Sequence, residues 1–318
     1  MTKRIAALAF AGLLGCGEQE IRAIERLPVP ASPDRGPLQV RDGDLLTDKG
    51  TRLRGATLGV DTSPGVAFDQ ALFDELSHAS GLNAFHVYLE NYEDESGANA
   101  EQADRLVEFT SKAGMYLVLG IGGGHMNGDF VLEKVRSFWD FYGPRYAGRT
   151  HVVYEIQNQP ELTCDAVFSA ETLEMERETY ARIRAVAPES HVVFLSYNAI
   201  PTAEALGGAL DALDGVDWSN ASVAFHGTPK CVPSAELLHT LSASRDRGVA
   251  AFASEVPNAA PFSETGVFEA ARVGWINFHW VVQDRDLAAF RDGHDSAGVS
   301  WCPDFGTWPQ DAERCTAP

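Results

Sequence analysis

The side chains able to do chemistry in this sequence fall at or near the ends of short apolar runs. Glu255 closes Phe252-Ala253-Ser254-Glu255, and Asn158 and Gln159 follow Val152–Ile156. His86 and Tyr88 lie late in Asn83–Glu90, His226 closes Ser222–His226, and His279 and Trp280 lie in Trp275–Val282. His125 follows Gly122-Gly123-Gly124. A carboxyl group attacks carbon or carries a proton, and an imidazole carries a proton or binds a metal. An amide does neither, while an indole offers a flat apolar surface. Tyr92, Trp301 and Trp308 add further rings that fit either packing or stacking on a ligand.

The elements that must position these groups are legible in the spacing. Short β-rich runs recur at Leu53–Val60, Asn83–Glu90, Tyr116–Ile121, Val152–Ile156, His191–Tyr197, Ser222–His226, Val249–Ser254 and Trp275–Val282, eight in all. Helical periodicity separates them. Phe68, Leu72, Leu76 and Ala79 repeat before Gly81, Ala103, Leu106, Val107 and Ala113 before Gly114, and Leu173–Ala187 stops at Pro188. Strands alternating with helices predict a parallel sheet with helices outside it, and eight units predict a closed α/β fold, a (β/α)8 TIM barrel. A short hairpin over Leu38–Arg52, with turns at Asp42-Gly43 and Lys49-Gly50, precedes it. The first run lacks a GxGxxG turn, and the three glycines at 122–124 lack the Lys-Ser/Thr of a phosphate loop. No nucleotide cofactor is expected. In such a barrel the site forms at the C-terminal ends of the strands, where the groups named above fall.

Here the sequence resembles a known family. Leu53-Arg54-Gly55-Ala56-Thr57-Leu58-Gly59 is similar to the opening strand of the cellulase-like glycoside hydrolases of clan A, family 5. Val153-Tyr154-Glu155-Ile156-Gln157-Asn158-Gln159-Pro160 resembles their fourth-strand motif, in which Asn-Glu-Pro carries the acid/base glutamate. Ile183-Arg184-Ala185 with Pro188 resembles the passage into their fifth strand. The resemblance covers residues 38 to 290. It implies that Glu255 is the nucleophile, that Asn158 contacts the sugar 2-hydroxyl, and that His226 and Trp280 line a sugar site; Tyr88, as a ring able to stack on sugar, and His86, at the same strand end, are further candidates for binding substrate there. The departures are at Gln159, where the family has glutamate, at His86, where it has an arginine supporting the nucleophile, and at Gly122 and Thr228.

Retaining glycosidases set two carboxyl groups about 5–5.5 Å apart, one to attack the anomeric carbon and one to exchange protons with the leaving oxygen. Gln159 cannot exchange a proton, and general acid/base assistance is worth about 10²–10⁴-fold. Three readings follow. The chain cleaves a β-linked glycan or glycoside, either with a good leaving group, as in plant thioglucosidases that resemble it at this position, or with a proton from Glu161, Asp165 or His125. Alternatively it binds glycans without cleaving them. Ranked below these is a metal hydrolase using His86, His125, His226 and His279. The first run lacks a His-x-His pair, so no metal is expected.

The ends of the chain suggest where it works. Lys3 and Arg4 precede an apolar Ile5–Leu14 too short to span a bilayer, and Leu13-Leu14-Gly15-Cys16 resembles the lipobox of bacterial lipoproteins. The expected organisation is a leader at 1–15, a tether at 16–37 lipidated at Cys16, a barrel at 38–292 and a tail at 293–318. The remaining Cys164, Cys231, Cys302 and Cys315 suit two disulfides in an oxidising envelope, Cys164–Cys231 and Cys302–Cys315, since no CxxC or HxxxH spacing favours zinc. The net charge of −20 disfavours nucleic acid and anionic lipid surfaces as partners, leaving carbohydrate and a membrane reached only through lipid.

Overall fold

The computed structural model describes residues 35–59, 69–79, 81–89, 98–122, 132–161, 168–227, 236–256 and 263–278. Two short strands, β1 (Gln39–Arg41) and β2 (Asp44–Leu46), form the expected hairpin. Asp42 and Gly43 turn between them with φ of 52° and 74°, the left-handed pair that a two-residue hairpin turn requires.

The strands β3 (Arg54–Gly59), β4 (Ala84–Leu89), β5 (Tyr116–Ile121), β6 (Val152–Glu155), β7 (Val192–Tyr197), β8 (Ala221–His226), β9 (Ala250–Val256) and β10 (Gly274–Phe278) are all parallel. They close as β10-β3-β4-β5-β6-β7-β8-β9, the barrel expected from the eight runs. The expected strand ends agree to within two residues over the described chain; positions 279–282 of the last run lie outside it. Every residue of β4, β5, β7 and β8 is buried, because the barrel interior covers one face and the helices cover the other.

Around the barrel run α1 (Gln70–Asp74), α2 (Ala98–Lys112), α3 (Leu132–Arg145), α4 (Ala170–Val186), α5 (Ala203–Ala212), α6 (Leu237–Arg245) and α7 (Ser263–Ala270). α1 runs straight into a wider helical turn over Glu75–Ala79. Paired arginines staple neighbours: Arg145 to Asp104 and Arg149 to Glu108 join the α3 region to α2, while Arg136 to Glu178 and Arg182 to Asp140 join α3 to α4. None of the helices in the described residues is long and apolar enough to cross a membrane.

The hairpin closes the end of the barrel at which the strands begin. Arg35, buried although it falls within the expected tether, pairs with Asp48 at 2.6 Å, donates to the Gly114 carbonyl just before β5, and stacks over Tyr116. Tyr116 donates its hydroxyl to the Gly36 carbonyl and accepts from the Asp48 amide. Asp44 in β2 holds Arg245 before β9 and Arg272 before β10. The opposite end, where the strands finish, is left to the site.

Candidate active site

Glu255 lies near the end of β9, its carboxyl turned into the barrel mouth and 13% exposed. Tyr88 of β4 donates its hydroxyl to Glu255 Oε1 at 2.7 Å. Burial pushes the Glu255 carboxyl up to about 7, against the Tyr88 hydrogen bond and the His86 charge that pull it down, with Glu155 adding to the rise. The Tyr88 phenol is itself held well above its usual range by burial and by both carboxylates, so it stays a donor. Its ring fits because residue 122 is glycine: a Cβ there would overlap Tyr88 Cβ. The space beside Gly122 is thus filled by a tyrosine from the neighbouring strand.

His226, at the end of β8, is the in-register neighbour of Glu255. Its Nδ1 lies 3.2 Å from Glu255 Oε2 and 2.6 Å from Gln159 Nε2. Its Nε2 lies 3.1 Å from Asn158 Oδ1. Asn158 and Gln159 leave β6 as a short extension, in which the Asn158 amide donates to the Ile121 carbonyl at the end of β5. Gln159 holds a left-handed φ of 47°, a strained backbone for a residue with a side chain, and this aims its amide across the mouth. The tips of Gln159 and Glu255 therefore meet at one ring nitrogen, at most about 6 Å apart, close to the 5–5.5 Å that retaining glycosidases set between their carboxyl groups.

Beneath this layer is a buried pair. His86 of β4 donates from Nδ1 to the Ser254 carbonyl, the residue before Glu255, at 3.2 Å, and its Nε2 meets Glu155 Oε2 of β6 at 2.5 Å. Burial pulls the His86 imidazole down, but the Glu155 carboxylate beside it, helped by Glu255 and the Ser254 carbonyl, raises it overall. Ser196 donates to the other oxygen of Glu155 at 2.7 Å from a bulge in β7, where Leu195 and Ser196 have φ of 70° and 21°. Gly120 of β5 leaves room for Glu155, since a Cβ there would come 2.9 Å from Oε2. The bulge is fixed from outside by Glu176 of α4, whose Oε1 accepts from the Leu195 amide and whose carboxyl burial drives well above its usual range. The chain thus buries an imidazole directly against a carboxyl beneath the mouth.

The structure brings together Glu255, Gln159, Asn158, His226, His86 and Tyr88. Trp280, His279, His125, Asp165, Tyr92, Thr228, Cys16, Cys164, Cys231, Cys302 and Cys315 lie outside the described residues. Glu161, considered as a proton source, is turned to the start of α4, where it accepts from the Ser169 amide and the Thr172 hydroxyl. Among the described residues no three His, Cys, Asp or Glu side chains converge as a metal-ligand set; His86 and His226 are instead bonded to the partners named above. Sequence reasoning missed Glu155, Ser196 and Glu176. The signal for Glu155 was a lone charge inside an apolar strand, and for Glu176 a charge on the core-facing row Thr172, Glu176, Thr179, Ile183 of α4.

No protein-family model matches the chain. Over 209 residues, 60% of its length, it is 25% identical to "Endoglucanase E-5" of Thermobifida fusca, and the match spans 42% of that protein. The structure resembles "Cellulase Cel5C_n" with a TM-score of 0.65 at 16% identity, covering 86% of this chain and 96% of the other. It resembles a β-mannanase of Thermomonospora fusca in complex with mannohexaose, with a TM-score of 0.62 at 18% identity over 77% and 84% of the two chains. What the chain shares with these structures is the (β/α)8 barrel. A cellulase or mannanase is what it is similar to, and the residues at the mouth must carry any statement about its chemistry.

Proposed function

We propose that this barrel acts on a β-linked glycan or glycoside by a retaining mechanism, with Glu255 as the nucleophile and Gln159 in the acid/base position. The separation of the Glu255 and Gln159 tips across the barrel mouth carries the reading. The likeness to an endoglucanase and to cellulase and mannanase structures supports a carbohydrate as the ligand. Asn158, held by His226, is the group that meets the sugar 2-hydroxyl, and Trp280 is the platform beneath a ring. Ionised Glu255 attacks the anomeric carbon. The amide at 159 hydrogen-bonds the leaving oxygen without supplying a proton, so substrates whose aglycone departs unaided are favoured.

A second reading is a glycan-binding protein without turnover. Behind it is the burial that raises the Glu255 carboxyl to about 7, since a carboxyl held toward its protonated form suits a hydrogen-bond donor better than a nucleophile. Turnover of dinitrophenyl and methyl glycosides by the wild type, Glu255→Ala and Gln159→Glu separates the two. Hydrolysis of the activated substrate that disappears in Glu255→Ala supports the enzyme. No hydrolysis across a panel of β-glycosides, with oligosaccharide binding retained, selects the binder.

The reading includes an extracytoplasmic location, with lipid on Cys16, resting on Leu13-Leu14-Gly15-Cys16. Metabolic labelling with a fatty acid that survives in Cys16→Ala would remove that part of it.

A further inference from the structure

Side chains alternate along a strand, and β7 breaks that alternation where it meets the site. Val193 lies in register with Glu155, whose carboxyl faces the barrel interior, while Phe194 packs on Tyr180 of α4 outside. A regular continuation would turn Leu195 inward beside Glu155 and Ser196 outward to the helices. The bulge, with φ of 70° and 21° at these two residues and a register shift against β8 between Phe194 and Tyr197, reverses this. A hydroxyl, not a leucine side chain, therefore meets the Glu155 carboxyl.

Side chains from two helices fasten the seam beside the bulge. The Ile156 amide donates to the Val193 carbonyl at 3.0 Å, a rung between β6 and β7. The next rung of a parallel ladder would join the Leu195 amide to the Ile156 carbonyl. Instead Glu176 Oε1 of α4 accepts from the Leu195 amide at 3.2 Å, and Trp139 Nε1 of α3 donates to the Ile156 carbonyl at 2.8 Å. Both halves of the missing rung are satisfied, so the surroundings sustain a left-handed backbone at a leucine and a serine.

We propose that Ser196 is a positioning residue for Asn158, and that the bulge serves to place it. The inference rests on the reading of Asn158 as the group that meets the sugar 2-hydroxyl. Ser196 is buried, and its Oγ lies 2.7 Å from Glu155 Oε1 and 3.3 Å from Asn158 Oδ1. Its one hydrogen is shared between the two oxygens, with the shorter arm to Glu155. His86 holds the other oxygen of Glu155, so the hydroxyl ties the Asn158 amide to the buried pair. Engaging Oδ1 from inside the barrel leaves the Nδ2 hydrogens to donate to a sugar hydroxyl. The same His86 holds the carbonyl of Ser254, next to Glu255, so the sugar-binding amide and the strand of the nucleophile share one internal anchor. An amide fixed before the sugar arrives loses less freedom on binding it.

The test has two arms on the full chain. In nitrogen-15 relaxation, the Asn158 side-chain amide, identified by its loss in Asn158→Ala, should be rigid in the wild type and mobile in Ser196→Ala. An amide equally rigid in both overturns the inference, and this arm decides alone if the wild type turns over neither substrate of the second. In turnover, a nitrophenyl β-glucoside is compared with its 2-deoxy counterpart. Ser196→Ala should lower the ratio of their kcat/KM values by about fivefold to tenfold, the worth of one hydrogen bond. A merely structural role lowers both alike, and an unchanged ratio overturns the inference. If Asn158→Ala also leaves the ratio unchanged, the reading of Asn158 falls; a ratio that responds to Asn158→Ala but not to Ser196→Ala removes Ser196 alone.

Discussion

Tyr88 of β4 reaches Glu255 of β9 past the two strands that separate them in the barrel wall, its hydroxyl 2.7 Å from Oε1, through space that exists only because residue 122 has no side chain. Gly122→Ala is therefore expected to displace the ring and cost about 1–3 kcal/mol of stability, the range for overfilling a packed interior. Urea denaturation measures the loss. A gain in stability would mean that Tyr88 is more loosely held than its contacts indicate.

Tyr88→Phe keeps the ring and deletes the donor. A hydrogen bond to the ionised carboxyl lowers its pKa, so its removal should move Glu255 upward from about 7. The rising limb of activity against pH, or the carboxyl carbon signal of labelled Glu255, should shift to higher pH. A shift to lower pH contradicts the assignment.

Stability should depend on pH through the same group. The Glu255 carboxyl stands at about 7 in the folded protein against an ordinary 4.5, so between these values the folded state holds a proton that the unfolded chain has released. Stability contributed by that proton is full below the lower value and falls as pH rises through the upper one, by at most about 3 kcal/mol. Glu176, also raised, acts with the same sign. Denaturant midpoints for the wild type and Glu255→Gln across this window should show a shallower decline in the variant.

The buried pair should be worth more intact than either half. Glu155→Leu leaves the His86 Nε2 without its partner in a dry interior, and breaking such a pair costs about 3–5 kcal/mol. Replacing both by leucine should cost less than the two single losses added together. A double-mutant cycle reads this directly, and simple additivity would show that the two groups do not act as a pair.

How far the sequence disclosed all this depends on what each residue does to the pattern. Tyr116–Ile121 was legible from end to end because a strand buried on both faces is a continuous apolar run bounded by Gly114 and Gly122. Glu255, His226 and Asn158 were legible because they interrupt apolar runs at the strand ends. Glu155 was hidden by the motif around it, and its role depends on His86, 69 residues away, which no local spacing connects. The bulge at Leu195 and Ser196 and the left-handed turn at Gln159 carry no glycine to announce them. Tertiary contacts from Glu176, Glu155 and His226 hold them in shape. The expected tether ran to residue 37, yet Arg35 is buried, because a single arginine in a polar stretch gives no sign that Asp48 and Tyr116 will enclose it.

That enclosed arginine also sets an orientation. Residues 35–52 enter the fold beneath the strands, on the face where Gly114, Arg245 and Arg272 lie, while Glu255 and Gln159 open at the other end. Whatever grips the chain upstream of Arg35 grips the barrel by its floor. A surface that held the protein there would leave the mouth, with Glu255 and Gln159, facing away from its support.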